Sequence, residues 1–140
     1  MPAKFADIEL AFEFANVSHE FRAYVRKETG EIFYQGSEAI SGEPDDELPD
    51  DIEDDGKYAA LPDKHDLDLG KPLVLAFARE MLPRDFDEVR AIFSRRGAYP
   101  KFKALLARRG ATDRWHAFEN EATKTALRAW CEEEGIELEG

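Results

Sequence analysis

The chain has 140 residues, of which 43% are hydrophobic and 36% charged, a length and balance that fit one folded globular domain with a well-solvated surface. Its only cysteine, Cys131, excludes an intrachain disulfide and the four-thiolate zinc patterns, and points to a reducing compartment. The formal net charge of −12 is uneven: Glu43 to Asp55 (EPDDELPDDIEDD) holds nine acids and no base, whereas Arg84 to Arg114 holds nine Lys or Arg against four acids.

In the first segment, MPAKFADIELAFEFANVSHEF, the apolar run is broken by Asp7, Glu9 and Glu13, so neither a signal-peptide core nor a membrane span is expected there. No later window reaches membrane length, and the expected location is the cytoplasm. Phe5, Ile8, Phe12 and Ala15, three and four apart, predict a short helix with one apolar stripe. The period then changes. In EFRAYVRKETGEIFYQG, Phe21, Ala23 and Val25 alternate with Arg22, Tyr24 and Arg26, as a strand with two unlike faces requires. Glu28-Thr29-Gly30 predicts a three-residue hairpin loop with Gly30 at the left-handed position. Pairing Lys27 with Glu31 then sets Tyr24 opposite Tyr34, between Arg22 and Arg26, on an aromatic and basic face.

The linker from Glu38 to Gly56 is longer than compact domains usually tolerate without cause, and Leu48 and Ile52, four apart, could dock on something. KYAALP (Lys57 to Pro62) predicts a third strand that completes a small antiparallel sheet. Beyond it the pattern is helical. Pro72 suits the first turn of PLVLAFAREML, whose apolar residues nearly encircle it and predict a central buried helix. Asp85 with Glu88 reads as an N-cap and its capping-box glutamate, ahead of the stripe Phe86, Val89, Phe93. A short helix with Phe102, Leu105 and Leu106 follows, then a long one carrying Trp115, Phe118, Ala122, Ala126, Ala129 and Trp130. Glu132, Glu133 and Glu134 crowd its C-terminal turn, where the macrodipole disfavours negative charge.

The letters RRGA occur twice, at Arg95–Ala98 and Arg108–Ala111, each reading as a helix end with cations near open carbonyls and Gly for the left-handed cap.

Few of these residues form a constellation for chemistry. Asp51-x-Glu53-x-Asp55-Gly56 resembles the start of a calcium loop, but Pro62 stands where a bidentate glutamate is needed. His19, His65 and His116 are scattered; only His65, among Asp63, Asp66 and Asp68, could join a hard-metal site, and capping explains the same residues. No nucleophile elbow or phosphate loop is present, and Ser37 and Ser41 have no nearby histidine. The glutamates beside Cys131 would raise its pKa. No cofactor or metal is expected, and an enzyme with a carboxylate-lined pocket is the least favoured reading.

DELPDDIEDDGKYAALPD, LDLGKPLVLAFARE and the run from IFSRRGAYPKFKALL through DRWHAFENEA to the Trp130 region resemble the bacterial Uncharacterised Protein Family 0158 over nearly the whole chain. The resemblance implies an early helix, a hairpin, a strand ending in Pro and a C-terminal helical block. It implies no activity, cofactor or site residue.

The expected fold is a single α+β domain: a short N-terminal helix, a three-stranded antiparallel meander over residues 1–62, and about four helices over 63–140 packed on one sheet face. The expected function is a non-enzymatic interaction or regulatory module. Its acidic loop, with Glu43, Asp45, Asp46, Glu47, Asp50, Asp51, Glu53, Asp54 and Asp55, would meet an unidentified basic protein partner. The alternative is nucleic-acid binding through the basic block 84–114 or the sheet face, with Arg22, Tyr24, Arg26, Tyr34, Arg95, Arg96, Arg108 and Arg109 as the docking surface.

Overall fold

Alternation of apolar and polar residues from Phe21 to Arg26 buries Ala23 and Val25 and leaves Arg22 exposed, and this strand, β1 (Arg22–Arg26), is the centre of a three-stranded antiparallel sheet. The computed structural model describes residues 2–18, 20–36 and 48–139. His19, Ser37, Ser41, Glu43, Asp45, Asp46 and Glu47 lie outside them, as does most of the predicted linker. The protein is α+β, with helix α1 (Phe5–Ala15), strands β2 (Ile32–Gln35) and β3 (Tyr58–Ala60), and a C-terminal helical block. The chain divides into two compact units, Met1–Asp63 with Thr125–Gly140, and Lys64–Lys124.

In the first unit the strand order is β2-β1-β3. The third strand therefore pairs with β1 and not β2, which corrects the meander: Tyr24, Val25 and Arg26 lie opposite Ala60, Ala59 and Tyr58. Side-chain burial explains the choice. β1 seals Ala23 and Val25 completely, while every residue of β2 is half-buried, as an edge strand allows. The helix that packs on β1 and β2 is α1, which buries Ile8, Ala11 and Phe12.

The hairpin is present, but its register is one residue away from the predicted one. Arg26 donates its N–H to the Glu31 carbonyl at 2.8 Å and Gly30 donates to the Arg26 carbonyl at 2.7 Å, so the loop spans four residues, with Gly30 at φ +78°. Ala23 then faces Tyr34, and Tyr24 faces Phe33. A one-residue slip exchanges the faces of a strand. Tyr34 accordingly shares the face of Ala23 and meets the Phe14 ring of α1 edge-on at 4.9 Å. Before α1 begins, Ala3 makes a parallel bridge with Leu138, through Ala3 N–H to the Glu137 carbonyl and Glu139 N–H to the Ala3 carbonyl, both 2.8 Å.

The second unit holds α2 (Lys71–Met81), a 3-10 turn (Pro83–Asp85), α3 (Phe86–Ile92), α4 (Ala98–Arg109) and the first half of α5 (Thr112–Glu133). Its core is a chain of edge-on rings: Phe93 to Phe102 at 5.5 Å, Phe102 to Trp115 at 5.2 Å, Trp115 to Phe77 at 5.2 Å and Phe77 to Phe118 at 5.3 Å. Helix α2 is amphipathic and not encircled: Leu73, Val74, Phe77 and Ala78 are buried, but Leu75 is half-buried and Met81 exposed. Among the described residues no helix is long and apolar enough to cross a membrane.

The second RRGA ends α4 as its letters predict, with Gly110 left-handed and Ala111 N–H reaching back to the Leu106 carbonyl at 2.8 Å. The first does not end a helix. Helix α3 stops at Ile92, Arg95 and Arg96 lie in the connection, and the left-handed Gly97 precedes α4.

Candidate interaction surface at the acidic turn

Two turns meet at one end of the β1–β3 ladder, where Lys27 N–H donates to the Lys57 carbonyl at 2.9 Å. One is the hairpin loop, residues 27–30. The other is the described part of the acidic stretch, residues 50–57, folded by Asp54 N–H to the Asp51 carbonyl at 2.8 Å and Tyr58 N–H to the Asp54 carbonyl at 2.9 Å. The Asp54 carboxylate accepts from Gly56 N–H at 2.9 Å, the local bond that aspartate makes in turns.

Lysines from both turns hold the acidic one. Lys27 Nζ donates to the Asp55 carbonyl at 2.7 Å and lies 3.4 Å from the Glu134 carboxylate, with its side chain only 20% exposed. This contact gives one of the three glutamates at the end of α5 a partner, which the sequence alone did not supply. Lys57 Nζ pairs with Asp51 Oδ2 at 3.0 Å, and the bond holds the Asp51 carboxyl below its ordinary range and raises Lys57. Tyr58 is buried, and burial, then the Asp51 carboxylate, pushes its phenol up.

Of the nine acidic candidates, Asp50, Asp51, Glu53, Asp54 and Asp55 are thus brought onto one exposed turn. Asp51 and Asp54 are engaged within it. Asp50, Glu53 and Asp55 are exposed and have no side-chain ion pair among the described residues.

The aromatic and basic sheet face is corrected in its membership. Arg22, Tyr24 and Arg26 share their face with Phe33 and Tyr58, while Tyr34 is on the other side because the loop is one residue longer than predicted. Phe33 meets Tyr58 edge-on at 6.1 Å and the Arg26 guanidinium carbon is 6.0 Å from the Tyr58 centroid. Tyr58, only 5% exposed, does not offer its ring for base stacking.

The helix arginines separate into two pairs. Arg109 binds Asp85 through both Nε at 3.0 Å and Nη2 at 2.9 Å, a bidentate pair that lowers the Asp85 carboxyl. Arg108 reaches Glu88 at 3.2 Å. Asp85 stands at the N-cap position of α3 but makes no side-chain cap bond, so the predicted capping pair instead holds the second RRGA. Arg95 and Arg96 are exposed with no ion pair among the described residues.

Elsewhere, no group of three or more His, Cys, Asp or Glu among the described residues is placed to hold a metal, and His65, beside Asp66 and Asp68, lies against Gly70. Burial, not the neighbouring glutamates, pushes the Cys131 thiol up to about 11. Lys27, Lys57 and Tyr58 escape a sequence reading as a group because their proximity depends on β3 pairing with β1. Their one sequence signal is position, each flanking a turn.

No family model, no curated protein and no solved structure matches the chain. The resemblance to Uncharacterised Protein Family 0158 rests on the quoted segments alone.

Proposed function

We propose that the protein is a non-enzymatic interaction module that offers the carboxylates of its acidic turn to a basic surface on a protein partner. The observation that carries this reading is the two-lysine clamp, which fixes the turn through Asp51 and the Asp55 backbone while Asp50, Glu53 and Asp55 remain outward. A turn held before binding loses less conformational entropy when it binds, and exposed carboxylates steer a cationic partner over distances set by salt. Asp50→Asn/Glu53→Gln/Asp55→Asn should keep the far-ultraviolet circular dichroism of the parent and lose salt-sensitive partners in a quantitative pull-down. An unchanged set of captured proteins would exclude this role for the turn.

A second reading, nucleic-acid binding through the block 84–114, is favoured by Arg95 and Arg96, which have no ion pair among the described residues and lie near Tyr99, itself 47% exposed. It predicts that single-stranded RNA is retarded in a gel at low salt and that Arg95→Ala/Arg96→Ala abolishes the shift. No retardation at low salt removes it.

A further inference from the structure

Half of the cations of the first unit line one pocket. That unit has twenty-two Asp and Glu against six Lys and Arg. Three of the six, Arg26, Lys27 and Lys57, line a pocket of 280 Å³ together with Glu28 and Gly56, between the hairpin loop and the acidic turn. Two cations are partly satisfied. Among the described residues, Lys57 Nζ makes one bond, to Asp51, and Lys27 Nζ has the Asp55 carbonyl and Glu134. An ammonium has three donors and a guanidinium five. The half-buried Arg26 side chain has no hydrogen-bond or carboxylate partner among the described residues; its guanidinium faces the Tyr58 ring. The lining therefore has more donors than acceptors, in a unit whose charge is otherwise strongly negative.

We infer that this pocket is an anion site for the phosphoryl group of a small phosphorylated ligand. A tetrahedral oxyanion presents enough acceptor oxygens to take the planar fork of Arg26 and the remaining N–H groups of Lys57 at once, which a single carboxylate does less completely. The Asp51 and Glu134 carboxylates and the lining Glu28 oppose the anion, so the site is selective by geometry and modest in affinity. This inference is independent of the acidic turn's proposed partner, because it uses the cations that line the pocket and not the outward acids.

The test is a titration of the ¹⁵N-labelled full chain with sodium pyrophosphate, with sodium chloride at matched ionic strength as the reference. Saturable amide shifts at Arg26, Lys27, Gly56 and Lys57 are expected, with half-saturation at about 1 mM or tighter. Arg26→Gln should weaken binding about tenfold, the size of one lost charge-assisted bond. Glu28→Gln removes the carboxylate of the lining itself and should tighten it. Non-saturating shifts, an equal response to chloride, shifts confined to Arg95 and Arg96, or undiminished binding by Arg26→Gln would each overturn the assignment.

Discussion

Phe77→Ala should destabilise the helical unit by about 3–5 kcal/mol, the usual cost of truncating a fully buried phenylalanine. Phe77 is 0% exposed, and its ring lies edge-on to both Trp115, at 5.2 Å, and Phe118, at 5.3 Å. The loss includes the transfer free energy of the ring, the cavity left between helices, and about 0.5–1.5 kcal/mol for each aromatic pair beyond its area. The two units need not unfold together, so one transition cannot be assumed. Trp115 reports on the second unit once Trp130 is replaced by Phe, and urea unfolding should be followed by Trp115 emission in that background. With a slope of about 1–3 kcal/mol per M, the midpoint should fall by about 2 M. Phe77→Leu fills part of the cavity and should lose less, which keeps the comparison measurable if the alanine variant is unfolded in water. A loss below about 1 kcal/mol would show that the ring chain is not the core of this unit.

The fold class is legible because period and punctuation agree over long stretches. Apolar spacing places α1 and the C-terminal helices, and Pro72 with Pro83 brackets α2. Gly30 takes the left-handed position that the turn letters predict, yet the loop length is hidden, since Arg26-Lys27-Glu28-Thr29-Gly30-Glu31 carries the same turn residues for three or four positions. That single residue moves Tyr34 to the α1 face and brings Phe33 beside Tyr24, so the face expected to carry both tyrosines carries only one of them. Strand order is beyond local reading, because β3 could join either side of the hairpin. The choice depends on which strand is buried deeply enough to stand at the centre.

The candidate site is legible only as charge. Counting acids singles out Glu43 to Asp55, but no count shows that Asp51 is spent on Lys57 while Asp50 and Glu53 remain outward. The arginines show the converse. Arg108 and Arg109 look identical to Arg95 and Arg96 in sequence, yet Glu88 and Asp85 take the former pair and leave the latter uncompensated among the described residues. Local letters assign Asp85 and Glu88 a capping role, and tertiary ion pairs take them instead. A bidentate guanidinium competes well with a cap bond for the same carboxylate.

Gly30→Ala should destabilise the sheet unit by about 2–5 kcal/mol, for two separable reasons. The first is conformational: at φ +78° a Cβ costs about 1–2 kcal/mol. The second is a contact that no local rule predicts. A Cβ on Gly30 would stand 2.6 Å from Ala3 Cα and 2.9 Å from Ala3 N, and backbone atoms cannot swing aside as a side-chain tip does. Ala3 must move, and with it go the bonds from Ala3 N–H to Glu137 and from Glu139 N–H to Ala3, worth about 0.5–1.5 kcal/mol each. Gly135→Ala separates the two effects within the same unit, since Gly135 has φ +73° but nothing within 4 Å of the added methyl. Hydrogen exchange supplies the distinguishing readout: the Ala3 and Glu139 amides should lose protection in Gly30→Ala and keep it in Gly135→Ala. Equal destabilisation by the two variants, with both amides still protected, would mean that the terminal bridge does not depend on the bare backbone of the hairpin loop. The expected difference makes Gly30 the point at which the hairpin admits both chain ends, one by its missing side chain and the other through Ala3.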